Sequence, residues 1–223
     1  MTPPCKKLII FDMDGTLADS SLAIANAINF VRSRLGLPPL DPETVIAKVN
    51  DPHLNAAEYF YETDHFQVRH EEWFSEYYTA HHQEELRLYP GIRELLSWLK
   101  TRDCLQAVAT NAYRRSTLET LEHLGIRESF DAVASYDDVP RGKPAPDMLL
   151  KILEELQVSP AEALFIGDGP RDEMAAEAAG IDFVRVQWGF SDHHEAVESV
   201  EELREMLERR CCRRQAIVSS SCA

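Results

Sequence analysis

Five short apolar runs recur along the chain: Lys7 to Phe11, Leu105 to Thr110, Ala132 to Ser135, Leu164 to Gly167 and Phe183 to Val186. Between them the apolar positions change period. Ile92, Leu95, Leu96 and Leu99 repeat at i, i+3, i+4, i+7, and so do Leu149, Ile152, Leu153 and Leu156, which makes helices with one buried face. Short apolar strands alternating with amphipathic helices predict an α/β fold, a parallel sheet wrapped by helices. Pro146 suits a first helical turn, and Gly125 and Gly180 fall where helices should stop.

From about Ser20 to Leu88 that alternation is broken. Ile24, Ile28, Val31 and Leu35 line one helix face, the break GLPPLDP from Gly36 to Pro42 marks a turn, and Ala56 to Glu85 reads as further helix. No strand is expected inside this stretch, so it reads as an all-helical insert placed after the first strand. Such an insert could act as a lid over the carboxyl ends of the strands, where open α/β sheets hold their ligands. The expected organisation is a discontinuous core, residues 1–19 and 88–210, a helical insert, residues 20–87, and a flexible tail, residues 211–223. Val200, Leu203 and Leu207 give the last helix its apolar side before the pattern fades in the tail.

Composition narrows the classes of partner. With 223 residues and 44% hydrophobic content the chain can fill a core. Its 23 Lys plus Arg against 38 Asp plus Glu give 23 − 38 = −15, which repels nucleic acid and anionic membrane at long range. Cations in contact with a ligand can still outweigh a distant field that salt screens over roughly 8–10 Å, so a small phosphorylated metabolite remains admissible. The five cysteines are odd in number and form no CxxC pair, which argues against a disulfide framework or a zinc site and for a cytoplasmic setting. The run Leu8 to Phe11 is too short for a signal-peptide core of roughly 7–15 residues, and nothing approaches the ~18 apolar residues of a membrane span.

Candidate chemistry begins at Asp12-Met13-Asp14-Gly15-Thr16, directly after the apolar run LIIF. Side chains two apart on an extended segment share a side, so Asp12 and Asp14 can face one pocket beyond the strand end. One carboxylate can attack phosphorus while the other protonates the leaving oxygen and then activates water. Gly15 allows a sharp turn that brings backbone N–H groups to a phosphate. Thr110 and Asn111 end the second apolar run, where a hydroxyl, an amide and N–H groups can hold phosphate oxygens. Lys143, in Arg141-Gly142-Lys143-Pro144, is kept out of helical geometry by the proline and can neutralise nucleophile and transferring group together. Asp168 and Asp172 follow the fourth strand, and Asp12, Asp14 and Asp168 converging on one point require a cation, for which magnesium is suited. Asp172 would orient Lys143 or a metal-bound water. The neighbouring pairs His81/His82 and His193/His194 suit solvated or capping roles better than metal binding, whereas His53, Arg69 and His70 of the insert could touch substrate.

Taken together, DMDGTLADS, VATN, GKPAPD and GDGPRDEMAAEAAG resemble the four motifs of the haloacid dehalogenase-like superfamily, from Lys7 to about Val186. The insert resembles the cap of its phosphoglycolate phosphatase-like branch. The resemblance implies a Rossmann-like core and a magnesium-dependent phosphatase acting on a small phosphate monoester, as a monomer or homodimer. By position it implies Asp12 as nucleophile and metal ligand, and Asp14 as acid/base that lends its carbonyl to magnesium. It implies Thr110 and Asn111 as phosphate ligands, Lys143 as the balancing charge, Asp168 as metal ligand and Asp172 as its support. Gly169 stands where the family frequently has serine, and Val49 to Leu54 lack the glycine usual in the specificity loop of phosphoglycolate enzymes. Asp14 argues against a dehalogenase, and Lys48, the only insert lysine, against a phosphonate hydrolase. A sugar-phosphate mutase and a non-catalytic phosphate-binding protein remain as alternatives.

Overall fold

The computed structural model describes residues 5–49, 51, 53–188 and 196–211, apart from the side chain of residue 82. Strand β1, Leu8–Phe11, is buried at every position, as a central parallel strand must be when both its faces are covered. After it the chain turns through the short strand β2, Ala18–Asp19, into four helices: α1, Ser21–Arg34; α2, Pro42–Val49; α3, Ala56–Tyr61; and α4, Val68–Glu85. Strand β3, Arg87–Leu88, returns antiparallel to β2, with Ala18 opposite Leu88 and Asp19 opposite Arg87. The core then resumes as α5, Ile92–Thr101; β4, Leu105–Ala109; α6, Arg114–His123; β5, Ala132–Ala134; α7, Asp147–Leu156; β6, Ala163–Gly167; α8, Pro170–Ala179; β7, Asp182–Arg185; and α9, Val200–Arg210.

The larger sheet runs β5-β4-β1-β6-β7, and each of its pairings is parallel. β1 therefore sits between two strands that come much later in the sequence, and connections leave it in opposite directions. That is the switch point at which open α/β sheets form a crevice beyond their carboxyl ends. Alternation along β1 divides the core: Ile9 and Phe11 pack with Leu95, Leu99, Leu121 and Leu203 on one face, Leu8 and Ile10 with Met148, Ile152, Phe165 and Ala176 on the other. Each of the buried Leu, Ile, Met and Phe side chains among them contributes about 1.5–3 kcal/mol before entropy is counted.

The helical insert has its own core. Ala25, Ile28, Val31, Val45, Phe60 and Tyr61 cluster between α1, α2 and α3. Arg32 is 4% exposed and crosses this unit, donating from Nε to the Pro38 carbonyl (2.8 Å) and from Nη1 to the Phe60 carbonyl (2.5 Å). The five expected core strands are present to within about a residue. The β2–β3 pair is the addition, and it sits where the insert leaves and rejoins the core.

Cysteine spacing argues against a disulfide, yet Cys5 is disulfide-bonded. The reason is tertiary: Lys6 bridges Cys211, and the Lys6 amide donates to the Arg210 carbonyl at 2.8 Å, so the two ends of the described chain meet. Cys104 and Cys211 are buried free thiols. The expected tail is thus anchored at Cys211, and residues 212–223 lie outside the described residues, as do His193 and His194. No described helix is long and apolar enough to cross a membrane.

Candidate active site

The loops at the carboxyl ends of β1, β4, β5 and β6 bring the sequence-predicted residues together. Asp12 directly follows β1, and its amide donates to the Ile166 carbonyl of the neighbouring strand at 2.8 Å. Lys143 Nζ lies 2.6 Å from Asp12 Oδ1 and 2.6 Å from Asp172 Oδ1. Asp12, Lys143, Asp168 and Asp172 are each at most 8% exposed. One ammonium is thus set among three carboxylates whose oxygens, one from each of Asp12, Asp168 and Asp172, lie within 4.8 Å of one another.

That imbalance shows in the protonation equilibria. Burial raises the Asp12 pKa well above the ordinary range; Lys143 opposes the rise, and the Asp172 and Asp168 charges add to it. Asp168 is pushed up to about 7, by burial first and then by Asp172. Burial would lower the Lys143 pKa, but Asp12 and Asp172 outweigh it and hold the ammonium above its usual value. Asp14 is raised, again chiefly by burial.

The donor set is all carboxylate oxygen, the chemistry of a hard divalent cation, and a second cation would balance the charge that Lys143 leaves uncompensated. Asp172 is already occupied: its Oδ1 faces Lys143 and its Oδ2 accepts from the Gly169 amide at 3.1 Å. Asp12 and Asp168 are therefore better placed to bind a metal, and Asp172 to hold Lys143. The Asp14 carboxylate is not one of the crowded three. The Ser20 hydroxyl faces the Asp14 carboxylate and offsets part of the rise that burial causes, and Thr16 Oγ1 on the same segment is buried without a partner.

Glycines make the crowding possible. Gly15 has φ +81°, and a Cβ there would stand 2.5 Å from Asp168 Oδ2. A Cβ on Gly142 would meet Asn111 Oδ1 at 2.7 Å. That last approach explains Asn111. Its amide clamps the backbone of Lys143, accepting from the Lys143 N–H at 2.8 Å and donating to the Lys143 carbonyl at 2.9 Å. The Asn111 side chain is thus committed to placing the lysine. Thr110, 1% exposed, accepts from the Ala112 amide at 3.1 Å, which leaves its O–H free to donate.

Two contacts escaped the sequence reading. Arg171 Nη2 donates to the Asp51 carbonyl at 3.1 Å, tying the fourth motif to the insert. Trp188 Nε1 donates to the Thr16 carbonyl at 2.9 Å, bracing the first motif. The insert residues proposed to touch substrate have other surroundings. His70 is enclosed by rings, 4.9 Å from Tyr61 and 6.5 Å from Trp73; Arg69 lies over Trp73 at 5.9 Å; and His53 is exposed. His81 Nδ1 lies 2.9 Å from the Tyr77 carbonyl one turn earlier in α4, and its ring stacks on Tyr77 at 4.1 Å.

Known proteins resemble this chain over most of its length. A phosphoglycolate phosphatase from Chromobacterium violaceum is 34% identical over 193 residues, covering 83% of this chain and 87% of its own. A second, from Pseudomonas savastanoi, is 31% identical over 214 residues, covering 90% and 78%. The solved structure of a haloacid dehalogenase-like family hydrolase from Streptococcus pneumoniae superimposes with a TM-score of 0.76 at 27% identity, covering 92% of this chain and 100% of that one. The family model for haloacid dehalogenase-like hydrolases matches residues 9–186, a span that begins in β1, takes in the insert and all four motif loops, and ends just after β7. With its acids, its lysine and its strand order all falling inside that span, the chain belongs to the haloacid dehalogenase-like hydrolases.

Proposed function

We propose that the protein is a magnesium-dependent phosphatase that hydrolyses a small phosphate monoester through a phosphoryl group carried transiently on Asp12. The observation that carries this reading is the Lys143 ammonium held 2.6 Å from both Asp12 and Asp172 at the carboxyl end of the central strand, with Asp168 alongside. Asp12 Oδ1 is bound to Lys143, which leaves its second oxygen to attack phosphorus. Magnesium, when bound by Asp12 and Asp168 with the Asp14 carbonyl, would neutralise charge developing on the phosphoryl oxygens. Asp14, whose raised pKa favours the protonated form, gives a proton to the leaving oxygen and later takes one from the attacking water. Thr110 O–H and the backbone N–H groups around Gly15 and Asn111 hold the phosphoryl oxygens, and Lys143 balances them. The helical insert, residues 20–87, acts as the cap that screens the reaction from bulk water.

The relatives' name makes phosphoglycolate the first ester to test. A cytoplasmic setting belongs to the same reading; the free thiols Cys104 and Cys211 support it and the Cys5 disulfide stands against it. The decisive experiment is Asp12→Asn. It should abolish magnesium-dependent phosphate release while leaving the melting temperature close to that of the native protein or above it, since a buried carboxylate is replaced by a neutral isostere. In the native protein, fluoroberyllate should be trapped on Asp12, as seen by mass spectrometry or crystallography. Near-native turnover in the variant would overturn the assignment.

A further inference from the structure

Gly142, the residue before Lys143, sits in a notch with two walls. A Cβ placed there would stand 2.7 Å from Asn111 Oδ1, and 2.7 Å and 2.9 Å from Tyr136 Cδ2 and Cε2. The first wall is the amide that clamps the Lys143 backbone through bonds of 2.8 and 2.9 Å, both only partly buried. The second is the edge of an aromatic ring lying beside those bonds.

Tyr136 opens the 3-10 turn Tyr136–Asp138 that follows β5. Its side chain is 45% exposed, so burial accounts for only part of the use of an aromatic residue there. The turn beneath it is firmly tied. The Tyr136 amide donates to the Ala112 carbonyl at 3.0 Å, and the Arg114 amide donates to Asp137 Oδ1 at 2.7 Å. Asp138 Oδ2 accepts from the Ser135 amide at 2.9 Å and from Arg114 Nη1 at 2.7 Å. These bonds join the turn to the loop that carries Thr110 and Asn111, and the Tyr113 ring meets the Tyr136 ring edge to face at 5.5 Å. Both walls of the notch therefore belong to one hydrogen-bonded unit. The loop's other tie, between Arg141 and Asp147 at 3.0 Å, has its arginine 71% exposed and adds little in water.

The geometry points to Tyr136 as a positioning residue for the reaction: its ring seats Gly142 against Asn111, keeps water from the Asn111–Lys143 hydrogen bonds, and so holds the Lys143 ammonium on Asp12. A hydrogen bond shielded from water is the stronger for it, and a displacement of about 1 Å at a reacting group can cost about 100-fold in rate. This inference rests on the Asp12 phosphatase reading, because the lysine serves turnover through that acid.

The test pairs kinetics with hydrogen exchange on the full-length protein. Tyr136→Ala should lower kcat for p-nitrophenyl phosphate with magnesium about tenfold and leave KM within about twofold. Tyr136→Phe keeps the ring and should hold kcat within about twofold of the native value. Followed by NMR without substrate, the Lys143 amide should exchange about tenfold faster in Tyr136→Ala, while the Asp12 amide, bonded to the Ile166 carbonyl, stays as in the native protein. A native kcat in Tyr136→Ala would overturn the inference, and so would a loss as large in Tyr136→Phe, which assigns the effect to the hydroxyl. A KM that rises with kcat unchanged would overturn it too, by making Tyr136 a substrate contact, as would faster exchange at Asp12, the mark of a general structural role. A native protein that releases no phosphate overturns the Asp12 reading instead; the Lys143 amide, which needs no turnover, then decides by itself whether Tyr136 holds the lysine.

Discussion

Replacing Lys143 with methionine preserves side-chain length and deletes the charge, which isolates what the ammonium does for the acids around it. Lys143 is 6% exposed and touches Asp12 and Asp172 at 2.6 Å each. Removing one member of a buried pair leaves its partner uncompensated, at a cost of about 3–5 kcal/mol. In a chain of this size that lowers the melting temperature by about 6–20 °C. The loss has a ceiling, because a buried acid can take up a proton instead, and Asp168 already sits at about 7. The pH dependence follows. The raised pKa of Lys143 means that its contribution to the native protein is complete across the neutral range and fades only in strong alkali, as the pH climbs through the folded value. The raised pKa values of Asp12 and Asp168 mean the reverse for the acids: they weaken the metal-free fold as pH rises above their unfolded values. Without the ammonium their pKa values rise further. The stability gap between native protein and Lys143→Met should therefore widen between about pH 6 and about pH 8. Thermal unfolding followed by circular dichroism in the presence of a chelator measures it, alongside phosphate release with magnesium, which should be lost. A variant that melts with the native protein at both pH values would refute the account of Lys143 as the counter-charge of this site.

Three further substitutions probe other links. Gly15→Ala places a Cβ 2.5 Å from Asp168 Oδ2 at a φ of +81°; we expect a stability loss of about 1–2 kcal/mol from the backbone alone and, because Asp168 must move, a kcat about 100-fold lower. Native turnover in that variant would show that the position of Asp168 is immaterial. Arg32→Met leaves the Pro38 and Phe60 carbonyls without their donor and should destabilise the insert by about 2–5 kcal/mol, read as faster hydrogen exchange across residues 21–61 with the core strands unchanged. Uniform exchange throughout the chain would contradict a separate insert core. Arg171→Met removes the bond to the Asp51 carbonyl, and KM should rise about tenfold with kcat little changed if that contact sets the position of the insert over bound ester; an unaltered KM would dismiss it.

How much could be read without coordinates depended on whether the physics was local. β1 and β6 are continuous apolar runs, and β4 is one interrupted only by the buried Gln106, because both faces of a central parallel strand are covered, and the run itself is the signal. α5 and α7 carry clean apolar stripes and were equally plain. α6 buries only Thr117, Thr120 and Leu121, so its face has little hydrophobic contrast and periodicity could not reveal it. β2 and β3 are two residues each and exist because two distant segments meet; no local pattern encodes that. At the site, Asp12 and Asp168 were legible because each directly follows an apolar strand, Lys143 because a proline follows it, and Asp14 and Asp172 by their spacing from those acids. The use of Asn111 as a clamp on Lys143 was not, since it depends on how closely two loops approach. A hint was present in Gly142, the residue next to Lys143, which leaves no room for a side chain against Asn111.

The paired strands Ala18–Asp19 and Arg87–Leu88 have a consequence for how the molecule can be taken apart. Because departure and return lie side by side in one ribbon, residues 20–86 are grafted at a single point, and a tight two-residue hairpin could bridge the gap they leave. Such a shortened chain would keep the parallel sheet and its acidic cluster but expose the reacting centre to water. The insert thus joins the chain at one ribbon, while Ala23, Ala27 and Tyr78 of α1 and α4 seat it on the main core, so any graft at that point would have to supply their apolar contacts.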